Sequence, residues 1–183
     1  RGEWMTMKEK KEAINKFYDT NQVIAMSIDH TASKEYGSII PEDVRSGKVL
    51  DIFNVKNGDL VAKCVLYKET DAFKKIFQGT YMKNEKWGVS VRIDWCMPDG
   101  YGGRIDKRLT HIALTQTPYF ADLGTYIHHW ATNEKDINSI IKREYFKDND
   151  GYCYASPVLL KKIGVVSSPP MPTSNTIANT TRM

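Results

Sequence analysis

The chain has 183 residues, 41% of them hydrophobic and 26% charged, a balance that excludes collagen-like, disordered and membrane-embedded classes and leaves an ordinary globular protein of one main domain. The net charge of +4 arises from lysines and arginines interleaved with acids, as in KEKKEA and IKREYFKDNDG, so dedicated nucleic-acid binding is not expected. No apolar run nears the roughly 20 residues a spanning helix needs, and the start RGEWMTMKEKKEAI lacks the apolar stretch of a secretory signal, so the expectation is a soluble intracellular protein with no membrane partner.

In MTMKEKKEAINKFY (5–18), Met7, Ala13, Ile14 and Phe17 recur at helical spacing and predict a short amphipathic helix. Val23 to Ile28 (VIAMSI) is too short for a free-standing helix and reads as a strand carrying His30 at its end. Residues 48–67 read as a hairpin about Asn57-Gly58, a pair in which both residues tolerate positive φ. Thr70 is placed to cap a helix through DAFKKIFQ that Gly79 stops.

WGVSVRIDWCM alternates Val89, Val91, Ile93 and Trp95 with Ser90, Arg92 and Asp94, so a strand here presents Ser90 opposite its apolar set. After the turn PDGYGG comes another β-rich run, RIDKRLTHIALTQTP, and a helix is predicted over 133–146, where Ile137, Ile140, Ile141 and Tyr145 form a stripe. The apolar run PVLLKKIGVV after Ala155 reads as a last strand. From about residue 167 the composition shifts to SSPPMPTSNTIANTTRM, a flexible tail with little to bury against the cost of ordering it. The expected architecture is α+β, mainly β: one domain over 1–166 built as one curled β-sheet or β-barrel flanked by a few helices, then the tail 167–183.

Candidate chemistry is sparse, with no HExxH, P-loop, GxSxG or GxGxxG motif. Cys64, Cys96 and Cys153 are odd in number and never form a CxxC pair, which fits a reduced compartment without a disulfide framework. His128-His129 are adjacent and point apart on any regular element, so no metal is expected, and no cofactor. By itself Ser90 is an ordinary polar-face serine, His30 an ordinary strand-end histidine, and His111 a satisfied, partly buried imidazole. The remaining enzymatic option is a hydrolase assembled from distant residues, with a serine activated by an imidazole.

The ordered set IDH, YGSI, GKVLDIFNVKNGDLVAKCVL, DAFKKIFQGTYMKNEKWGVSVRI and LTHIALTQTP resembles the prohead proteases of tailed phages. LTHIAL is also similar to the strand of herpesvirus assemblins in which a histidine stands where many phage enzymes have an acid. The resemblance covers about half the chain.

It implies a serine endopeptidase of the Ser-His-His type with Ser90 as nucleophile, His30 as general base and His111 as the group that orients His30. It further implies cleavage of scaffold and major capsid precursor proteins, the protease itself included, within the assembling procapsid, in the host cytoplasm for a phage or the host nucleus for a herpesvirus-like virus. A homo-oligomer is compatible with it. The arginine-rich turn of the herpesvirus enzymes is replaced here by TQTPYFADLG, so backbone amides are the default oxyanion donors. Arg92 and Arg104 are at most helpers and by default solvated charges. For self-cleavage, Ile177-Ala178 in the tail is favoured over Ala155-Ser156, since a protease takes an extended substrate. The competing reading is an inactive scaffold- or capsid-binding module with the same fold.

Overall fold

In a computed structural model, residues 5–37, 39–98, 104–118, 125–147 and 154–165 are described, except the side chains of 95–98 and 104–106. The tail from 167, with Ile177-Ala178, lies outside the described residues, as do Cys153 and the side chains of Cys96 and Arg104.

The first helix, α1 (Met7–Asp19), begins on a reciprocal capping box: the Thr6 hydroxyl accepts from the Glu9 amide and the Glu9 carboxylate accepts from the Thr6 amide. It buries Ala13, Ile14 and Phe17. Then follow β1 (Ala25–Ile28), α2 (Thr31–Tyr36), β2 (Gly47–Asn54), β3 (Leu60–Leu66), α3 (Asp71–Phe77), β4 (Gly88–Pro98), β5 (Arg104–Thr115), α4 (Glu134–Tyr145) and α5 (Pro157–Ile163).

Among the described residues the strands form one mixed sheet in the order β3-β2-β1-β5-β4, in which only β1 and β5 run parallel. The sheet curls into a half-barrel flanked by helices, the α+β architecture expected. Its inner face carries Met26, Val49, Ile52, Ile112 and Leu114, which pack with Ile14 and Phe17 of α1, Ile76 of α3 and Trp87. Its outer face is divided. On the β2–β3 side Phe53 and Val61 pack under Ile141 of α4 and Leu159 and Ile163 of α5. The β1–β5–β4 side carries the polar residues taken up below.

Several elements depart from expectation. The hairpin turn gives only Gly58 a positive φ (92°). The Gly58 amide donates to the Val55 carbonyl and the Val55 amide to the Asp59 carbonyl, so the loop is a type I turn closed by a left-handed glycine, one residue longer than a two-residue Asn-Gly turn.

Thr70 does cap α3, accepting from the Phe73 amide, but Gly79 does not end the helical run: the backbone widens into a π-turn over Gln78–Met82. Gly79 is needed for space, because a Cβ there would collide with the Glu85 carboxylate and the Trp87 indole. The run after Ala155 is helix α5 instead of a strand; the Ser156 hydroxyl caps it by accepting from the Val158 amide, and Pro157 takes its first turn. Helix α2 was not anticipated, since TASKEY has no apolar period.

Candidate functional site

The pairing registers bring the predicted residues together. In β4 and β5, Ser90 lies opposite Ala113 and Arg92 opposite His111; in β1 and β5, Ala25 lies beside His111 and Ser27 beside Ala113. Paired residues share a face, so Ser27, His111, Ser90 and Arg92 all project from the outer face, while Val89, Val91, Met26 and Ile112 go to the core. A bulge in β5 past this point pairs Ile93 with Leu109 and leaves Thr110 as the extra residue, keeping Ile93 on the core side.

His30 belongs to no strand. It is returned over the outer face by Asp29, whose φ of 52° puts an abrupt bend at the end of β1, a left-handed conformation that Asp tolerates better than most residues. The Asp29 amide still donates to Leu114 at 3.0 Å, which holds the bend against β5. His30 Nε2 then lies 3.0 Å from Ser90 Oγ, across 60 residues of sequence. Ser90 and His30 are both partly exposed.

His111, wholly buried, sits beside this pair with its ring centroid 5.7 Å from that of His30. Its Nε2 lies 2.8 Å from Ser27 Oγ, and its Nδ1 has no hydrogen-bond partner. His111 is thus brought to the site, but its hydrogen bond goes to Ser27 and not to His30.

Both imidazoles are kept neutral. Burial pushes the His30 pKa below its ordinary value, Lys34 and Arg92 push the same way, and Asp29 opposes them. Burial, followed by the neighbouring His30 and Arg92, pushes His111 down to about 4. At neutral pH His30 therefore has a lone pair with which to accept a proton.

Arg92 is not a solvated charge. Its Nη1 donates to the Ser33 carbonyl at 2.6 Å and its Nε to Asp94 at 3.1 Å, so it ties α2, which follows His30, to the strand that carries Ser90. Gly88, two residues before Ser90, lets residues 125–127 lie along β4: the Val89 amide donates to Thr125 and the Ile127 amide to Trp87. A Cβ at Gly88 would stand 2.5 Å from the Thr125 carbonyl oxygen and 3.0 Å from the Pro118 ring.

Sequence reasoning missed Ser27, Asp29 and the Arg92 tether. Ser27 carried a usable signal, being the one polar side chain in VIAMSI and three residues before His30.

Elsewhere, His128 and His129 are exposed with ring centroids 6.4 Å apart. Among the described residues no three His, Cys, Asp or Glu side chains converge as metal ligands would, and no helix is long and apolar enough to cross a membrane. Ser156 is buried as the cap of α5 and Tyr154 is bridged to Asn54, so the Ala155-Ser156 bond is held within the fold. Comparison with family models, curated proteins and solved structures finds no match to this chain.

Proposed function

We propose that the protein is a serine endopeptidase of the capsid-maturation type, cutting scaffold and capsid precursor proteins during virion assembly, with Ser90 as nucleophile and His30 as general base. The observation that carries the reading is the 3.0 Å approach of His30 Nε2 to Ser90 Oγ. The resemblance of the ordered motifs supplies the substrate class and the procapsid location.

In this reading the Ser90 hydroxyl gives its proton to His30 Nε2 as Oγ attacks the scissile carbonyl carbon. The imidazolium then protonates the departing amine, leaving an acyl-serine. Water, deprotonated by His30, releases the acid product and restores Ser90. His111 enters as a neutral acceptor for His30. It stabilises the imidazolium less than a carboxylate would, so the enzyme is slow, which is tolerable where protease and substrate are enclosed together.

One observation favours a second reading, a scaffold- or capsid-binding module without activity: no hydrogen bond joins His111 to His30, and His111 is held by Ser27 instead. Incubation with a fluorophosphonate followed by peptide mapping separates the two. Covalent label on Ser90 is the expected result. A folded protein that stays unlabelled, or is labelled equally in Ser90→Ala, overturns the enzymatic reading.

A further inference from the structure

We infer that Ser27 is a positioning residue of this site, fixing the tautomer of His111 so that His111 can accept a hydrogen bond from His30. The inference rests on the reading of Ser90, His30 and His111 as nucleophile, base and orienting group.

Proton counting carries it. A hydroxyl has one hydrogen to give. Ser27 Oγ lies 3.1 Å from the Asp29 carbonyl oxygen, which can only accept, and 2.8 Å from His111 Nε2. With its hydrogen committed to Asp29, Ser27 is left to accept at the second contact. His111 Nε2 therefore carries the ring proton, and Nδ1 of the neutral imidazole is a bare lone pair.

That lone pair is buried and unpartnered. Buried polar atoms without a partner are uncommon, and each calls for an explanation. In the neighbouring ring, His30 must keep Nε2 bare to serve Ser90 as a base, so the proton of its neutral ring sits on Nδ1. The two rings thus hold one donor and one acceptor. Their centroid separation of 5.7 Å is only a little beyond the roughly 5 Å of imidazoles sharing a direct N–H···N bond. Catalytic hydrogen bonds of unliganded enzymes commonly tighten when substrate is bound.

The opposite tautomer of His111 would set N–H against N–H and oppose formation of the His30 imidazolium. Ser27 prevents this by accepting the Nε2 hydrogen. The same hydroxyl, through Asp29, braces the left-handed bend that delivers His30. One side chain thus sets both the position of the base and the polarity of its neighbour.

The test uses the full chain with ¹⁵N-labelled histidine, reading ring-nitrogen shifts for the tautomer and the rate of Ser90 modification by a fluorophosphonate for function. In the parent, His111 is expected as the Nε2–H tautomer. Ser27→Ala should shift it toward Nδ1–H and slow Ser90 labelling at pH 7.5 by roughly tenfold or more, as a mis-set tautomer does in other triads; Ser27→Thr, which keeps the hydroxyl, should restore both. A parent protein with His111 protonated at Nδ1 overturns the inference whether or not any variant folds. So does a Ser27→Ala protein that keeps the Nε2–H tautomer, or one that changes tautomer and labels at the parental rate. If Ser90 is not labelled in the parent, the protease reading fails, and the ring-nitrogen shifts alone then decide whether Ser27 sets the tautomer.

Discussion

On the β2–β3 side of the outer sheet face, Asp51 and Lys63 are both wholly buried and meet at 2.6 Å. Lys162 and the Tyr18 hydroxyl also donate to Asp51, and Lys63 reaches Glu134 and Asn138. On the β1–β5–β4 side of the same face, beside the Arg92–Asp94 ion pair, the His30–Ser90 and His111–Ser27 contacts join neutral imidazoles to hydroxyls, and one His111 nitrogen is left over. The first cluster is charged and bonded out. Removing either partner there would strand a buried ion, at a cost of several kcal/mol. The second has low-pKa bases, a hydroxyl in reach and a spare lone pair, which is the state from which a proton can move. Burial of polar groups alone does not mark a reactive site; unspent hydrogen-bonding capacity next to a titratable pair does.

Activity is where the contrast is expected to be greatest. Ser90→Ala should reduce scaffold cleavage or self-cleavage to background, a loss of about 10³-fold or more, while moving the unfolding free energy by no more than about 0.5 kcal/mol, because Ser90 contributes little packing. Within the same series His30→Ala should slow cleavage by roughly 10²-fold or more, and His111→Ala by less. A Ser90→Ala protein that cuts as well as the parent breaks the comparison on its reactive side, and full activity in His111→Ala removes that residue from the site.

The charged cluster should respond in stability alone. Lys63→Met leaves Asp51 buried with only Lys162 and Tyr18, and is expected to cost about 3 kcal/mol in urea unfolding, the lower end for breaking a buried pair, since Lys162 still serves the carboxylate. The folded fraction should label at Ser90 as the parent does. Replacing both partners, Asp51→Leu with Lys63→Met, should recover most of the loss. A double variant less stable than the single one would show that the ion pair itself, and not the avoidance of a lone buried charge, holds this region.

Acid should separate the clusters next. His111 has a folded pKa of about 4 against an unfolded value near 6.5, so between those values the unfolded chain binds the extra proton. The stability this contributes is complete above pH 6.5 and is lost as the pH falls toward 4, by roughly 2 to 3 kcal/mol. His111→Gln cannot titrate and should show a flatter profile over that window in a urea series. Matching profiles would mean that His111 is not held neutral by burial. The smallest expected effect is that of Gly88→Ala, about 1–2 kcal/mol of overpacking against Thr125 and Pro118, with slower Ser90 labelling as residues 125–127 are pushed from β4. Unchanged stability would show that this edge yields freely.

The strands were largely legible because period-2 alternation is a local property. KWGVSVRIDW put Ser90 on the outer face, as the packing of Val89, Val91 and Ile93 on the core requires, and Thr70 announced its helix as a side-chain cap. The Asp51–Lys63 pair was not legible from the hairpin, because a two-residue Asn57-Gly58 turn would set Asp51 opposite Cys64 and the loop is one residue longer. Short apolar runs were harder: PVLLKKIGVV suits strand or helix, and the Ser156-Pro157 start signal was what decided it. Invisible to local reading were the parallel match of β1 with β5 and the bend at Asp29, because both are settled by partners distant in sequence.

That parallel match has a consequence for how the molecule comes to be. Antiparallel neighbours such as β2 and β3 can zip from their turn, whereas β1 must wait for a strand whose His111 is 84 residues beyond Ser27. Closing so long a loop costs entropy before any contact compensates it, and topologies rich in such pairings fold slowly. The approach of His30 to Ser90 depends on that closure, since the bend is anchored on Leu114 of β5. Local pairing such as the β2–β3 hairpin is therefore expected to precede this pair, and folding itself sets the delay before His30 and Ser90 can meet.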